Sequence, residues 1–170
     1  MKNLLILLLI LISCYSCKET PEEKFEKDGV FLISPKGWEI TDRENIDDQG
    51  YYLSIEKDGL NSSGLIAISW LNTELELSEW INIHKDELKN NIIYKNSNLV
   101  FGDLEENKFN NLNTTSINFT MSLLGIEHEG VFHFFNEKEK TFSLLIQEAK
   151  GDKNKNRIGF DLIEKSFKIE

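Results

Sequence analysis

The stretch "LIAISWL", Leu65 to Leu71, is apolar at almost every position. A strand that alternates polar and apolar residues can leave one face in water, whereas one that is apolar throughout has to be covered on both. Any sheet built around this strand therefore needs cover on two sides. The chain supplies a candidate a few residues later. In "ELSEWINIHKDELKNNIIYK", Leu77, Trp80, Ile81, His84, Leu88 and Ile92 recur at helical spacing, and Glu79, Lys85, Asp86, Glu87 and Lys89 fall on other faces. Ser78 is placed to cap its start.

Other strands are expected around this pair. Val30 to Ile33 form a short apolar run stopped by "SPKGW", where Pro35 removes a ladder donor and Gly37 allows a turn, so that Trp38 begins a strand reaching Thr41. The acidic stretch "DRENIDDQG" reads as a loop, and Tyr51 to Glu56 as the strand after it. Beyond the helix, strands are expected near Leu99 to Leu104, Thr114 to Leu123, His128 to Phe135 and Thr141 to Gln147, the middle pair joined through Gly125. Ile158, Leu162, Ile163 and Phe167 mark a C-terminal helix. Runs of strands with one helix between them and one after them give an α+β fold with a mostly antiparallel sheet sandwiched by helices.

The start of the chain is of another kind. Leu4 to Ile12 is an unbroken apolar run of nine residues behind Lys2, too short for a permanent bilayer span of about 20 residues and laid out as a secretory signal. Leu11-Ile12-Ser13-Cys14 resembles the lipobox of bacterial lipoproteins, in which the cysteine is acylated and becomes the new N-terminus. Cys14 is the preferred lipidation site, and Cys17, followed by Lys18, Glu19, Glu22 and Glu23, is the alternative. The expected organisation is a signal peptide over residues 1–13, a lipidated tether over 14–27 and one domain over 28–170. The implied location is the bacterial cell envelope, on a membrane anchored through N-terminal acyl chains and facing the periplasm or the cell surface.

Charge narrows the partners. The chain carries a net charge of −10, and loss of residues 1–13 would remove one more positive charge. Such a surface repels phosphate backbones, so nucleic acid is not an expected partner. It also disfavours a polybasic hold on anionic lipid, leaving membrane attachment to the acyl chains. No cysteine follows Cys17, so the domain must hold together by packing.

Catalytic patterns are missing. There is no Gly-x-Ser-x-Gly elbow and no phosphate-binding glycine loop. "EHEGVFH" places His128 and His133 an odd number apart, which on a strand sends them to opposite faces, and a zinc site needs its ligands to converge. His84 reads as a packing residue of the helix stripe. Asp47-Asp48 and Glu105-Glu106 read as solvated charge. No metal or other cofactor is expected. Trp38 reads as a plug against the sheet and Trp80 as part of the helix-to-sheet seam. Trp70, with Tyr51 and Tyr52, is the candidate partner surface.

"DGVFLISPKGWEI", the helix "LSEWINIHKDEL" after an apolar strand and the closing "IEKSFKI" together resemble a PsbP-like domain. The resemblance implies an antiparallel sheet between helices, in a family whose members mostly bind proteins or stabilise assemblies and share no catalytic site. The expected function is thus a non-catalytic binding or assembly module with an unidentified protein partner. A small-ligand carrier and a metal-dependent hydrolase using the His128/His133 strand are the alternatives.

Overall fold

The computed structural model describes residues 19–59 and 63–170; the signal segment, Cys14 and Cys17 lie outside them. Strands β1 (Glu23–Lys27), β2 (Val30–Ser34), β3 (Trp38–Ile46), β4 (Gly50–Lys57) and β5 (Leu65–Leu71) come first, then helix α1 (Leu77–Asn90). Strands β6 (Val100–Phe109), β7 (Leu112–Leu123), β8 (Ile126–Glu137) and β9 (Lys140–Ala149) follow, then helix α2 (Lys153–Ser166) and the short β10 (Lys168–Ile169). Seven strands form one antiparallel sheet in the order β3-β4-β5-β9-β8-β7-β6. The expected α+β architecture is the one observed.

"LIAISWL" is β5, flanked by β4 and β9, and its two faces enter two cores. Ile66, Ile68 and Trp70 face a core completed by Ile163 and Phe167 from the end of α2 and by Phe25, Val30 and Leu32 from a small sheet of order β1-β2-β10. Leu65, Ala67 and Leu71 face the other, where Trp80, Ile81 and Leu88 of α1 pack on Phe132, Phe134 and Leu145. The demand for cover on both sides is met by one helix per face, with the small sheet beside α2.

Several expectations change. The tether does not extend to Lys27, because Glu23–Lys27 pairs with β2 across the Asp28-Gly29 turn and buries Phe25 in the core. A single apolar residue among charges gives little alternation to read, yet that one ring is enough to dock the strand. "DRENI" is not loop but the outer half of β3, which passes a register shift between Ile40 and Asp42 and keeps pairing as far as Ile46. Being an edge strand, it leaves these polar side chains in water. Ser78 does not cap α1; the cap position is Glu76, without a side-chain hydrogen bond. The helix ends at Asn90, so Ile92 lies beyond it and is 87% exposed, and Ile158 on α2 also faces solvent.

Candidate functional site: an apolar cleft between helix α1 and the sheet

A helix about 10 Å across cannot cover seven strands spaced about 4.8 Å apart. Helix α1 lies toward β8, and the part of the same face built by β4, β5 and β9 is left as the floor of a cleft of about 670 Å³. Small side chains make the room there. Ala67 and Ser69 of β5 and Ser143 of β9 stand where larger residues would fill the space, with Tyr52 to one side and Trp80 and His84 on the helix wall. Ile93 and Tyr94, from the segment after α1, lie at one end and Ile46 and Leu71 are at the other. The volume is in the range of small-molecule sites, and the lining is mostly apolar, as in such sites.

The polar groups are few. Ser69 and Ser143 are directly opposed across the β5–β9 pair and share a hydrogen bond of 2.6 Å between their hydroxyls. The Tyr94 hydroxyl donates to Gln147 Oε1 at 2.9 Å. The His84 ring lies edge-on to Trp80 at 4.3 Å and 5.8 Å from both Phe132 and Phe134, and this burial lowers its pKa to about 4. It is therefore neutral at physiological pH. Its Nδ1 faces Glu87 Oε2 at 3.2 Å, which orients an Nδ1–H toward the carboxylate and leaves Nε2 with the lone pair. His84 Nε2 and Trp80 Nε1 are buried and have no hydrogen-bond partner among the described residues. Glu87 sits at the rim, its carboxyl pushed upward by desolvation. Among the described residues, no lysine or arginine lines the cleft.

The other candidates fare differently. Trp70 is not a partner surface: it is fully buried, 5.1 Å from Tyr51 and 6.3 Å from Phe142. Tyr51 is buried in the same cluster. The strand pattern places such rings on a face but does not reveal that β1 and α2 close over it. Tyr52, on the opposite face, is half-buried in the cleft wall. His133 faces Phe109 and accepts or donates a hydrogen bond with Thr114 Oγ1 at 2.9 Å. His128 pairs across the ladder with Met121, a residue of the α1-side core. The two histidines are thus on opposite faces, and among the described residues no group of three histidine, cysteine or acidic side chains is gathered for a metal. Asp47-Asp48 sits in the β3–β4 turn and Glu105-Glu106 on edge strand β6, all exposed. Ser69, Ser143, Glu87 and Tyr94 were not singled out by sequence. The one available signal was a pair of serines within otherwise apolar strands.

No family model matches the sequence, and no curated protein matches it. Solved structures do. Cyanobacterial PsbP (CyanoP) from Synechocystis sp. PCC 6803 is similar at a TM-score of 0.56 and 11% identity, over 92% of this chain and 96% of that one. LpqN, described as involved in cell envelope biogenesis of Mycobacterium tuberculosis, is similar at a TM-score of 0.53 and 14% identity, over 88% of this chain and 90% of that one. Both likenesses span nearly the whole of each chain, so the antiparallel sheet between two helices described above is a PsbP-like fold.

Proposed function

We propose that this chain is a lipid-anchored, extracytoplasmic, non-catalytic binding module whose ligand is a small amphiphile held in the cleft between α1 and the sheet. The observation that carries this is the cleft itself: about 670 Å³ with a mostly apolar lining, and two buried side-chain nitrogens in its helix wall that have no partner among the described residues. Its binding feature is a concavity rather than a flat patch, because Trp70 and Tyr51 belong to the core. The location is supported by the "LISC" segment at Cys14 and is compatible with the envelope role of LpqN.

The lining also selects charge. With Glu87 at the rim and no cation on the walls among the described residues, a carboxylate or phosphate head loses its hydration without gaining a counter-ion. A neutral or cationic head on an apolar body suits the site. In calorimetry, dodecylamine below its critical micelle concentration or dodecanol below its solubility limit should bind, with dodecanoate at least about tenfold weaker. Ala67→Phe, which fills the floor, should abolish the signal while leaving the denaturation midpoint nearly unchanged. If none of the three binds, the cleft is not a ligand site.

The anchor is tested separately. Cys14→Ala should block labelling with radioactive palmitate and accumulate unprocessed precursor, whereas Cys17→Ala should still label. The opposite pattern assigns the anchor to Cys17.

A further inference from the structure

The two ends of the sheet differ in character. At one, the described chain begins: the Thr20 amide donates to Asp58 at 3.0 Å and the Gly37 amide to Thr20 O at 2.8 Å. That same end carries the β4–β5 connection, whose Ser63 bonds Asp152, and the Lys150–Glu127 pair beside the β7–β8 turn. The segment after α1 joins it through the Ser122 amide and Ser97 O at 2.6 Å. At the opposite end lie Asp47, Asp48, Glu74, Glu76, Glu137 and Glu139, with Lys138 and Lys140 among them, on connections joined by the Asn72–Gln49 and Asn136–Leu75 hydrogen bonds.

The first end also collects exposed aliphatic side chains. Leu124 is 102% exposed and Ile126 56%, both at the β7–β8 turn, and Ile92 and Ile93 are 87% and 61% exposed. The turn itself is unusual. Among the described residues, four two-residue turns join adjacent strands, and three of them use Asp28-Gly29, Asn110-Asn111 and Lys138-Glu139. The fourth is Leu124-Gly125, with Leu124 held at φ +51°, a conformation that asparagine, aspartate or glycine adopts more readily. A fully solvated leucine thus occupies a strained position better suited to a polar residue. The hairpin projects, too: β9 ends at Ala149, level with His128, so Ile126 stands two residues, about 7 Å, further out.

We propose that this end rests on the lipid bilayer, with Leu124 and Ile126 inserted among the acyl chains and the far, acidic end turned away from it. The inference rests on the lipid anchor proposed above. Five residues lie between Cys14 and Thr20, six steps of chain with a reach of at most about 20 Å, so an acylated Cys14 holds this end close to the headgroups whatever path the chain takes. Charge agrees with the orientation, because lysines 36, 150, 153 and 155 at this end are each paired with a carboxylate, whereas the far end is predominantly acidic. Ile93 belongs both to the exposed set and to the cleft lining, so the bilayer-facing end is also where the cleft meets the membrane.

The test uses the full, lipidated chain reconstituted into phosphatidylcholine vesicles with bromine on the lipid acyl chains. Leu124→Trp adds a fluorophore at the tip, and Asp48→Trp adds one at the far end as control. The native tryptophans are buried in the protein interior and give a common background. The added emission of Leu124→Trp should be blue-shifted and at least about half quenched, with that of Asp48→Trp unchanged. Floating protein with equal, weak quenching at both positions overturns the proposal and leaves the anchor intact. The same result with Leu124→Trp protected only when an envelope protein is added reassigns the tip to a protein contact. Protein that does not float with vesicles at all overturns both the anchor and this orientation.

Discussion

Trp38→Ala should lower the unfolding free energy by about 3–5 kcal/mol, the range for deleting a large buried aromatic. Trp38 is 3% exposed and packs against Phe160 of α2 with ring centroids 5.2 Å apart. Its indole also lies directly over the backbone of α2. A Cβ added at Gly159 would fall 2.4 Å from the indole Nε1 and Cε2, and one at Gly64 2.5 Å from Cη2. The ring is thus clamped between a helix and the start of β5, which is why a cavity there cannot easily collapse. The contact makes a second, sharper expectation. Glycine inside a helix normally costs about 0.5–1 kcal/mol relative to alanine, so Gly159→Ala at an open site would stabilise. Here it should destabilise the parent and stabilise the Trp38→Ala background, a reversal of sign readable from two denaturant midpoints. Trp70→Ala should cost at least as much as Trp38→Ala, because Trp70 is fully buried. An unchanged midpoint for Trp38→Ala with the folded signal intact would remove the indole from the core.

The reading of Trp38 and the misreading of Trp70 come from one cause. The turn "SPKGW" is a local signal: proline and glycine stop one strand, and the aromatic opening the next must fold back on what precedes it. For Trp70 the local pattern is equally clear, but what lies over its face is set by residues more than forty positions away, including Phe25. That cover was invisible because β1 reads as a charged tether. Asp28-Gly29, a turn pair between two short runs, was the hairpin signal available in the sequence, and Phe25 the single residue to weigh with it.

The cleft was less legible still. Its floor depends on which strands α1 leaves bare, and this is fixed by the order β3-β4-β5-β9-β8-β7-β6 rather than by any local pattern. Only the helix stripe could be read, and it put Trp80, His84 and Leu88 on the correct wall. Burial in that stripe was expected for His84; its neutrality and its approach to Glu87 follow from tertiary packing alone.

Two histidines make stability depend on pH in a calculable direction. Burial lowers the pKa of both His84 and His133 to about 4, whereas in the unfolded chain each titrates near 6.5. Above that value both are neutral in both states, and they contribute no pH dependence. As the pH falls from about 6.5 toward 4, the unfolded chain binds protons that the folded chain refuses, so stability drops across this window and levels off below it. At 1.36 kcal/mol per pH unit, each histidine accounts for at most about 3 kcal/mol. Glu87 and Glu148, whose carboxyls are raised by burial, work in the opposite sense at the acid end and reduce the net fall. Denaturant midpoints at pH 7, 5.5 and 4.5 should therefore decline. His133→Gln, which can keep a hydrogen bond to Thr114, and His84→Phe, which keeps a ring between Trp80 and Phe132, should each flatten the decline by a comparable amount. Because their side chains enter opposite faces of the sheet, the two effects should add. An equally steep decline in both variants would mean that neither ring is held neutral by its core. Flattening in His133→Gln alone would mean that the cleft admits enough water to solvate a protonated His84, making the helix wall wetter than its aromatic contacts imply.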